Sequence, residues 1–569
     1  MGWWRGNRVR AAAVLAGALA LAGTVVPIGA HAAAERCPTG ADWAQYGRSP
    51  SRTFDVPVGC TSISAVTAPT LVPKWFFHTR DSVTASPAVV GDTAYVGSWD
   101  GRFYAIDTRT GTARWTYDIV TATSYAFGKI PSSAAVTRLP DVTTGGTRLV
   151  VIFGGGSSVW ALDATTGKLL TRIDLDPRTP ALRAKQAGDP PVVEVESSPA
   201  IATVRGPGGP RKLVFVGMDV HNQAGVGPAG LVALELKSTP AGWAWSLVWK
   251  NDPETGRTHS GAAGITAGSG TGQGCGDVWS SPAVDPGANV LVYGVGNCDH
   301  VAAARAAGLH WSEAMIAVRA DTGAPLWRFS PAEALPTPAA RDQEASADLD
   351  FGASPQIFTM ADGHRVVGEG QKSAIYWVRD LHTGAPVWSR LAGTPGNVSE
   401  GFAVGGFIGS TAVQLDAGGR ALRVVGGTAI PVPQSPDQLA TAVWAVRGLD
   451  AKTGSIGWTF ELGGPTYAAS SVANGVVFVP ETVPSDLVAL DASTGLPLWA
   501  SPVIGPPSST AVVAGDSVYL GTGTRETDLE YKAFGLELQR SFTDTIGESP
   551  LSPVSGVQAW TLASSLPDR

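Results

Sequence analysis

The segment Ala94–Trp115 reads AYVGSWDGRFYAIDTRTGTARW, and its pattern decides the fold. Short apolar runs alternate with turns that contain Gly and Asp. The segment ends in a kernel of Ala-x-Asp-x-x-Thr-Gly, three further residues and Trp. Apolar runs bounded by Asp, Thr and Gly are typical of strands joined by tight turns. The kernel therefore predicts a β-hairpin.

Weaker copies of this kernel recur along the chain. They are ALDATTGKLL (Ala161–Leu170), AVRADTGAPLW (Ala317–Trp327), VRDLHTGAPVW (Val378–Trp388), GLDAKTGSIGW (Gly448–Trp458), ALDASTGLPLW (Ala489–Trp499) and a copy stretched by insertion at Val232–Trp249. The segments before each kernel, such as Ser86–Ser98 and Ser470–Pro480, add two more strands around a Gly-containing turn. Repeated units of four strands predict the blades of a β-propeller.

The number of blades follows from the positions that close a kernel. These are Trp75, Trp115, the Leu170 region, Trp249, Trp327, Trp388, Trp458 and Trp499. The sequence therefore predicts an all-β, eight-bladed propeller of four-stranded blades over residues 34–569. We expect the repeated tryptophans to pack between neighbouring blades. We also expect GVQAWTL, near Trp560, to close the ring with the N-terminal segment.

Composition excludes several other classes of protein. The chain has 569 residues, including 70 Gly and 41 Pro. Of all its residues, 44% are apolar and only 16% are charged. Disorder requires low hydrophobicity with high charge, and a coiled coil requires an excess of Glu, Lys and Leu. A net charge of −7 argues against nucleic acid as the main partner, because the phosphate backbone requires a basic face.

The N-terminus has the pattern of a signal peptide. Arg5, Arg8 and Arg10 precede an apolar run, and Ala30-His31-Ala32 follows it as a small-x-small cleavage site. We expect residues 1–33 to be removed and the protein to be secreted or to lie in the cell envelope, with no stable membrane span. A retained membrane anchor is the alternative.

Four cysteines fit an exported protein. An oxidising compartment preserves disulfides, and the simplest of the three connectivities pairs Cys37 with Cys60 and Cys275 with Cys298. The sequence has no Cys-x-x-Cys-His motif, so we expect no attached c-type haem.

The repeated kernel resembles the repeat of the pyrroloquinoline quinone (PQQ) propeller proteins over almost the whole mature chain. Three segments resemble PQQ-dependent alcohol dehydrogenases, especially the polyvinyl alcohol dehydrogenase type. The first is CGDVWSSPAVDPGANVLVYGVGNCDH (Cys275–His300). The resemblance implies that Trp279 is the floor on which the quinone stacks and that Asn297, eighteen residues later, coordinates calcium. A flat aromatic cofactor needs a rigid aromatic face, and calcium needs oxygen ligands.

The second and third segments imply the polar residues of the site. In GEGQKSAIYWVRDLHTGAPVW (Gly368–Trp388), Lys372 takes the place of the lysine that hydrogen-bonds the quinone oxygens. In ASADLDFGASPQIF (Ala345–Phe358), an aspartate takes the place of the base that accepts the alcohol proton. Asp348 is the first choice and Asp350 the second. Each can also ligate calcium.

The resemblance leaves one calcium ligand open. The Glu that the family places near Val214–Leu234 has no counterpart in this chain. Asp219 or Asn222 supplies an oxygen ligand instead, with His221 facing the pocket, or Glu196 takes the place. The region that contains Gly406 is expected to line the funnel above the cofactor.

Together these features predict an exported quinoprotein that oxidises an alcohol, with secondary and polymeric alcohols among the candidates. Hydride transfer to PQQ, bound with calcium on the propeller axis, is the expected reaction. The electrons would then pass to an external acceptor such as a cytochrome or a dye. The alternative is a non-catalytic PQQ-like propeller that acts as an envelope binding or assembly scaffold, because fold does not settle function.

Overall fold

A computed structural model describes most of the chain from Cys37 onward. The described residues are 37, 40–119, 129–176, 193–219, 230–261, 276–296, 311–335, 337, 349–393, 397–399, 402–404, 406–428, 444–464, 466–482, 485–523 and 554–566. Cys37–Arg569 forms a compact unit. The expected signal peptide, residues 1–33, lies outside the described residues.

The described strands form eight antiparallel sheets, which we number as blades 1 to 8. Blade 1 contains Ala88–Val90, Thr93–Gly97, Arg102–Asp107 and Ala113–Asp118; blade 2 contains Ala135–Asp141, Gly146–Gly155, Ser158–Asp163 and Leu169–Asp174; blade 3 contains Ala200–Gly206, Gly209–Met218, Gly230–Thr239, Gly242–Asp252 and Arg257–Ser260; blade 4 contains Ala283–Asp285, Val290–Gly294, Met315–Arg319 and Pro325–Phe329. Blade 5 contains Gln356–Thr359, Arg365–Gly370, Ile375–Asp380 and Pro386–Leu391; blade 6 contains Ala412–Leu415, Ala421–Thr428, Ala445–Asp450 and Ile456–Glu461; blade 7 contains Ser471–Ala473, Val476–Glu481, Asp486–Asp491 and Pro497–Pro502; blade 8 contains Val512–Ala514, Ser517–Thr522, Gly556–Leu562 and Leu71–His78. The predicted all-β, eight-bladed propeller is confirmed, with a fifth strand added to blade 3.

A few short elements lie outside the blades. They are the strand Asp55–Val56, which pairs in parallel with blade 7, the hairpin Asn397–Ser399 with Phe402–Val404, and the 3-10 turns Ala68–Thr70, Pro331–Ala334 and Ala563–Ser565.

Blade 8 is built from both ends of the described chain. Gly556–Leu562 pairs antiparallel with Leu71–His78, so that Trp560 lies opposite Pro73. The expected closure of the ring is therefore confirmed. Backbone hydrogen bonds between Gly556–Leu562 and Leu71–His78 thus join the two ends of the described chain within one blade.

The Asp, Thr and Gly of the kernel form the turn between the third and fourth strands of a blade. In blade 1, Asp107 Oδ1 accepts the backbone N–H groups of Arg109 and Thr110, at 2.9 and 3.1 Å. Gly111 follows with a φ of 70°, a left-handed conformation that glycine adopts without steric cost. The same turn recurs at Asp163, Asp380, Asp450 and Asp491.

The kernel tryptophan packs on the turn glycine of the next blade. Trp388 of blade 5 lies against Gly454 of blade 6, where a Cβ would stand 2.5 Å from the indole Cε3. Its Nε1 donates to the carbonyl of Ala451 at 3.0 Å. The indole nitrogens of Trp75, Trp115, Trp249, Trp327, Trp458 and Trp499 make equivalent bonds to the neighbouring blade. At the eighth position, Leu170 packs against the apolar cluster between blades 2 and 3. The predicted role of these tryptophans is confirmed.

A ring of hydroxyl groups joins the first strands of the blades around the axis. Each member stands two residues before the first strand of its blade. The N–H of Ser281 donates to Ser354 Oγ, and the N–H of Ser354 donates to Ser410 Oγ, both at 3.0 Å. The same bond runs from Thr510 to Ser86, Ser86 to Ser133, Ser133 to Ser198 and Ser198 to Ser281. Blade 7 has Ala469 at this position, and the absence of a hydroxyl interrupts the ring there.

A segment near the N-terminus, residues 43–56, winds around the axis and contacts the first strands of blades 1 to 7 in order. We call it the axial segment. Trp43 exchanges two backbone hydrogen bonds with Val89 of blade 1, both at 2.8 Å. Later residues of the axial segment accept the backbone N–H groups of one residue from each of blades 2 to 7, namely Val136, Ile201, Val284, Ile357, Val413 and Val472. The axial segment has no repeat and no periodic pattern in the sequence, so its course around the axis is visible only in the structure.

A disulfide brackets the axial segment. Cys37 and Cys60 are bonded, which confirms the first predicted pair. The second predicted pair, Cys275 and Cys298, lies outside the described residues.

The contact between Trp388 and Gly454 can be tested with a matched glycine. Gly454 and Gly475 both have positive φ, 69° and 80°, but a Cβ at Gly475 would meet nothing within 4 Å. Gly475→Ala should cost only the left-handed conformation, about 1–2 kcal/mol of unfolding free energy. Gly454→Ala should cost about 1–3 kcal/mol more, because the new methyl group collides with the indole. Urea unfolding measures both, and equal losses would contradict the contact.

Asp55, at the end of the axial segment, predicts a pH dependence of stability. Burial raises its pKa to about 7, well above the ordinary value for an aspartate. The folded state then binds more protons than the unfolded state, so the free energy of unfolding should fall as pH rises from about 4 to about 7. Asp55→Asn should flatten this fall, whereas Asp362→Asn, at an exposed carboxyl, should not. Melting temperatures at pH 5 and pH 8 give the comparison, and an unchanged difference in Asp55→Asn would refute the assignment.

Candidate functional site

Three of the predicted site residues come from loops at the same end of blades 4 and 5. Trp279 and Asp350 precede the first strand of blades 4 and 5, and Lys372 follows the second strand of blade 5. Trp279 stands two residues before Ser281 of the hydroxyl ring, and Asp350 stands four residues before Ser354. The ring therefore holds the bases of both loops.

Trp279 lies between two glycines and keeps part of its surface exposed. A Cβ at Gly352 would stand 2.7 Å from the indole Cη2, and a Cβ at Gly296 would stand 3.4 Å from Nε1. Any larger residue at Gly352 would displace the ring. Because neither glycine has a side chain, the indole has the space to lie against both of them.

Lys372 connects the aspartate and the tryptophan. Its Nζ lies 2.9 Å from Asp350 Oδ2 and 5.8 Å from the centre of the Trp279 ring. Both charged side chains are nearly enclosed, with 11% of the lysine and 5% of the aspartate side chain accessible. The backbone N–H of Lys372 also donates to the carbonyl of Asp350 at 2.9 Å. A buried pair of this kind requires such additional bonds, because both charges have left water.

The two carboxyl oxygens of Asp350 differ, because only Oδ2 is bonded to Lys372. Its Oδ1 is buried and has no hydrogen-bond partner among the described residues. A buried carboxylate oxygen without a donor is costly. It can accept a proton or a hydrogen bond from a ligand that enters beside Trp279.

Gly406 packs on the turn that carries Lys372. Its φ is 59°, and a Cβ there would collide with the carbonyl of Lys372. The next residue, Phe407, donates its N–H to the carbonyl of Gln371 at 3.0 Å. Gly406 thus lies directly against the candidate site, where it shapes the lysine turn.

The predicted calcium ligands are only partly described. Asp219 is nearly buried, and its backbone forms a reciprocal bridge with Glu194. Asn297, Asn222, Asp348 and the pocket residue His221 lie outside the described residues. Within the described part of the chain, no three His, Cys, Asp or Glu side chains are grouped so that they could hold a metal ion.

Gln371 is a site residue that sequence reasoning missed. Its Nε2 donates to the carbonyl of Leu349 at 2.8 Å, while its Oε1 accepts bonds from Ser373 Oγ and Trp377 Nε1. The amide therefore ties the lysine turn to the loop that carries Asp350. Its only sequence signal is its position next to Lys372.

Glu369 is a second residue that was missed. It is wholly buried, and burial raises its pKa well above the ordinary range. Neither of its carboxyl oxygens has a hydrogen-bond partner among the described residues. A Cβ at Gly294 of blade 4 would collide with Oε1, so the missing side chain makes room for this carboxyl group.

Comparison with known proteins gives the family. A family model described as the β-propeller domain of glucose/ethanol/alcohol dehydrogenase, the PQQ family, matches residues 43–390. The chain belongs to this PQQ family. The predicted resemblance is thereby confirmed. A second family model, described as outer membrane protein assembly factor BamB, matches residues 444–567.

Curated relatives of this PQQ-family chain include two polyvinylalcohol dehydrogenases. The protein from Pseudomonas sp is 27% identical over 66% of this chain and 57% of its own length. The protein from Sphingopyxis sp. (strain 113P3) is 24% identical over 69% of this chain and 55% of its own length. The chain thus spans a little over half the length of these relatives.

Solved structures share the fold. A quinohemoprotein alcohol dehydrogenase from Comamonas testosteroni superposes with a TM-score of 0.62 at 16% identity, covering 94% of this chain and 83% of its own. A europium-containing methanol dehydrogenase gives a TM-score of 0.60 at 16% identity, covering 92% of this chain and 98% of that one.

Among the residues that the structure describes, no helix is long and apolar enough to cross a membrane.

The position of Trp279 depends on Gly352, and this dependence can be measured. Gly352→Ala should tilt the indole, because its new methyl group would stand 2.7 Å from Cη2. The fluorescence that Trp279 contributes, obtained by subtracting the spectrum of Trp279→Phe in each background, should shift. Gly208→Ala is the control, because a Cβ there meets nothing within 4 Å. An unchanged Trp279 signal in Gly352→Ala would contradict the close packing.

Proposed function

We propose that this chain is an exported PQQ-dependent alcohol dehydrogenase of the polyvinyl alcohol dehydrogenase type. The observation that carries the proposal is the position of Lys372, whose ammonium group pairs with Asp350 at 2.9 Å and faces Trp279 at 5.8 Å. An aromatic face, a cation and a carboxylate thus meet at one point on the axis. No other group of described residues combines these three chemistries in the PQQ-family positions.

The residues fit a planar, anionic quinone. The indole of Trp279 offers a flat face on which an aromatic cofactor can stack, and Gly352 and Gly296 leave that face its space. Lys372 offers a positive charge and hydrogen-bond donors at the edge of the face. When bound, PQQ accepts the hydride that leaves the alcohol carbon. Lys372 stabilises the negative charge that then develops nearby.

Asp350 is the proposed base. Its free Oδ1 can accept the hydroxyl proton of the alcohol, while Oδ2 remains bonded to Lys372. Asp348 was the first choice from sequence. Asp348 lies outside the described residues, whereas Asp350 Oδ2 lies 2.9 Å from Lys372 Nζ and its Oδ1 is buried, which supports Asp350 in this role.

Calcium is proposed on the resemblance alone. Asn297, Asp219, Asn222 and Asp348 are the candidate ligands, and each offers the oxygen atoms that calcium prefers. The proposed role of the ion is to hold the cofactor next to Trp279.

The substrate, the acceptor and the location follow the named relatives. An alcohol, secondary or polymeric, is the proposed substrate, since two relatives are named polyvinylalcohol dehydrogenases. The electrons go on to an external acceptor, a cytochrome in the cell or a dye in an assay. Export after cleavage of residues 1–33 agrees with the Cys37–Cys60 disulfide, which requires an oxidising compartment.

The proposal predicts separable effects of three substitutions. Trp279→Ala should weaken PQQ binding about tenfold, through the lost stacking face. Lys372→Met should weaken binding and lower kcat. Asp350→Asn keeps the shape of the side chain and should leave binding within a few-fold while kcat falls about 100-fold or more, because the base is lost.

The assay combines absorbance titration with PQQ and Ca²⁺ and dye-linked turnover of primary, secondary and polymeric alcohols. Asp118→Asn, on the outer strand of blade 1, is the matched control and should behave as the wild type. Folded wild-type protein that binds no PQQ with calcium would sink the dehydrogenase proposal and favour the non-catalytic scaffold instead.

A further inference from the structure

Tyr46 of the axial segment reaches the centre of the propeller. Its hydroxyl lies 3.1 Å from Ser410 Oγ, a member of the hydroxyl ring in blade 6. Ser354 and Thr510, the ring members of blades 5 and 8, face the same hydroxyl. The tyrosine ring keeps some accessible surface in this position. Tyr46 thus contacts the hydroxyl ring, from which the loops that carry Trp279 and Asp350 leave.

Arg52 holds Tyr46 from the other side. Its guanidinium is wholly buried and lies 5.2 Å from the centre of the Tyr46 ring. Nε donates to the carbonyl of Pro282 at 2.9 Å, Nη2 donates to that of Ser198 at 2.8 Å, and Nη1 donates to the carbonyl of Tyr46. Burial lowers the pKa of Arg52 to about 9. All three acceptors are neutral carbonyls, arranged to suit the planar fork of an arginine.

Two bonds of this pair, to Pro282 and to Ser410, end close in sequence to residues of the candidate site. Pro282 stands three residues after Trp279. Ser410 stands four residues after Gly406, which packs against the lysine turn. Ser410 Oγ also accepts the N–H of Ser354, four residues after Asp350. Tyr46 and Arg52 therefore form a brace across the axis between blades 3 and 4 on one side and blades 5 and 6 on the other.

We propose that Tyr46 and Arg52 are positioning residues that set the distance between the Trp279 face and the Lys372–Asp350 pair. The inference rests on the proposed function for the identity of the ligand, but not for the brace itself. A binding site needs its groups held to within about 0.5 Å by the residues that support them. The brace supplies such support between the blades that carry the site.

A purely structural role would give a different result. The blades are also joined by the hydroxyl ring and by seven tryptophans, so the loss of one phenolic hydroxyl should change overall stability little. Tyr95 offers a matched control in blade 1. Its hydroxyl donates to the carbonyl of Ala164 in blade 2 at 3.1 Å, and it has no part in the axial brace. Tyr46→Phe and Tyr95→Phe each remove one hydroxyl group from the protein interior.

The experiment compares Tyr46→Phe, Arg52→Lys and Tyr95→Phe in the full chain. Two readouts are used: hydrogen exchange of peptides covering residues 276–296 and 349–393, and PQQ affinity with calcium together with kcat and KM for an alcohol. We expect faster exchange in both peptides, PQQ affinity weaker by about fivefold and a lower kcat in Tyr46→Phe. Arg52→Lys should show larger effects, because an ammonium cannot reach three carbonyls at once. Tyr95→Phe should match the wild type in every readout.

Each outcome decides one claim. Wild-type exchange and affinity in Tyr46→Phe would overturn the brace. Full affinity in Arg52→Lys would overturn the role of the guanidinium fork, since charge alone would then suffice. If the wild type binds no PQQ, the proposed function fails, and the exchange data still decide whether the brace orders the two loops. If Arg52→Lys does not fold, Tyr46→Phe alone carries the test.

Discussion

The structure depends on the way the first strands of the blades are held around the axis. A backbone N–H at the start of a first strand is buried, and a buried N–H requires an acceptor. In six of the eight blade-to-blade steps, that acceptor is the hydroxyl of a Ser in the next blade, at 2.8–3.0 Å. The serine hydroxyl is only one bond from Cβ. The distance between the two first strands that it joins can therefore vary little. The ring therefore helps to set the spacing of the blades that it joins.

The periphery uses a different interaction for the same purpose. There each kernel tryptophan donates its indole N–H to a backbone carbonyl of the next blade, and all of them except Trp499 also lie on a glycine of that blade. This contact requires glycine for two reasons. The turn needs a positive φ, and the indole occupies the space where a Cβ would stand. Inner hydrogen bonds and outer aromatic contacts thus hold most of the blades at two radii, and both are made at or next to the strands rather than in the long loops. The loops are consequently free to vary in length and to carry chemistry.

The candidate site shows how such a frame supports a buried ion pair. Lys372 and Asp350 both leave water, and their attraction offsets that cost only when the geometry is good and further bonds are present. Those bonds come from the frame: Gln371 ties the two loops together, Gly406 supports the lysine turn, and the ring member Ser354 anchors the loop of Asp350. Glu369, buried three residues from Lys372 with its pKa raised, adds a carboxyl group that burial favours in its neutral form.

Sequence by itself determined the repeat, the eight blades and the roles of the kernel residues, because each depends on local patterns of turn and strand that recur along the chain. It also singled out Trp279 and Lys372, and it offered Asp348 before Asp350 as the base, because the neighbours of these residues resemble family motifs. The axial segment could not be predicted from the sequence. The contacts of Tyr46 and Arg52 join residues more than a hundred positions apart and follow no period. Gln371 and Glu369 were missed for the same reason: a buried amide and a buried acid acquire their meaning from what packs against them. Only the closed ring brings those partners together, because it places the first strands of distant blades around one axis.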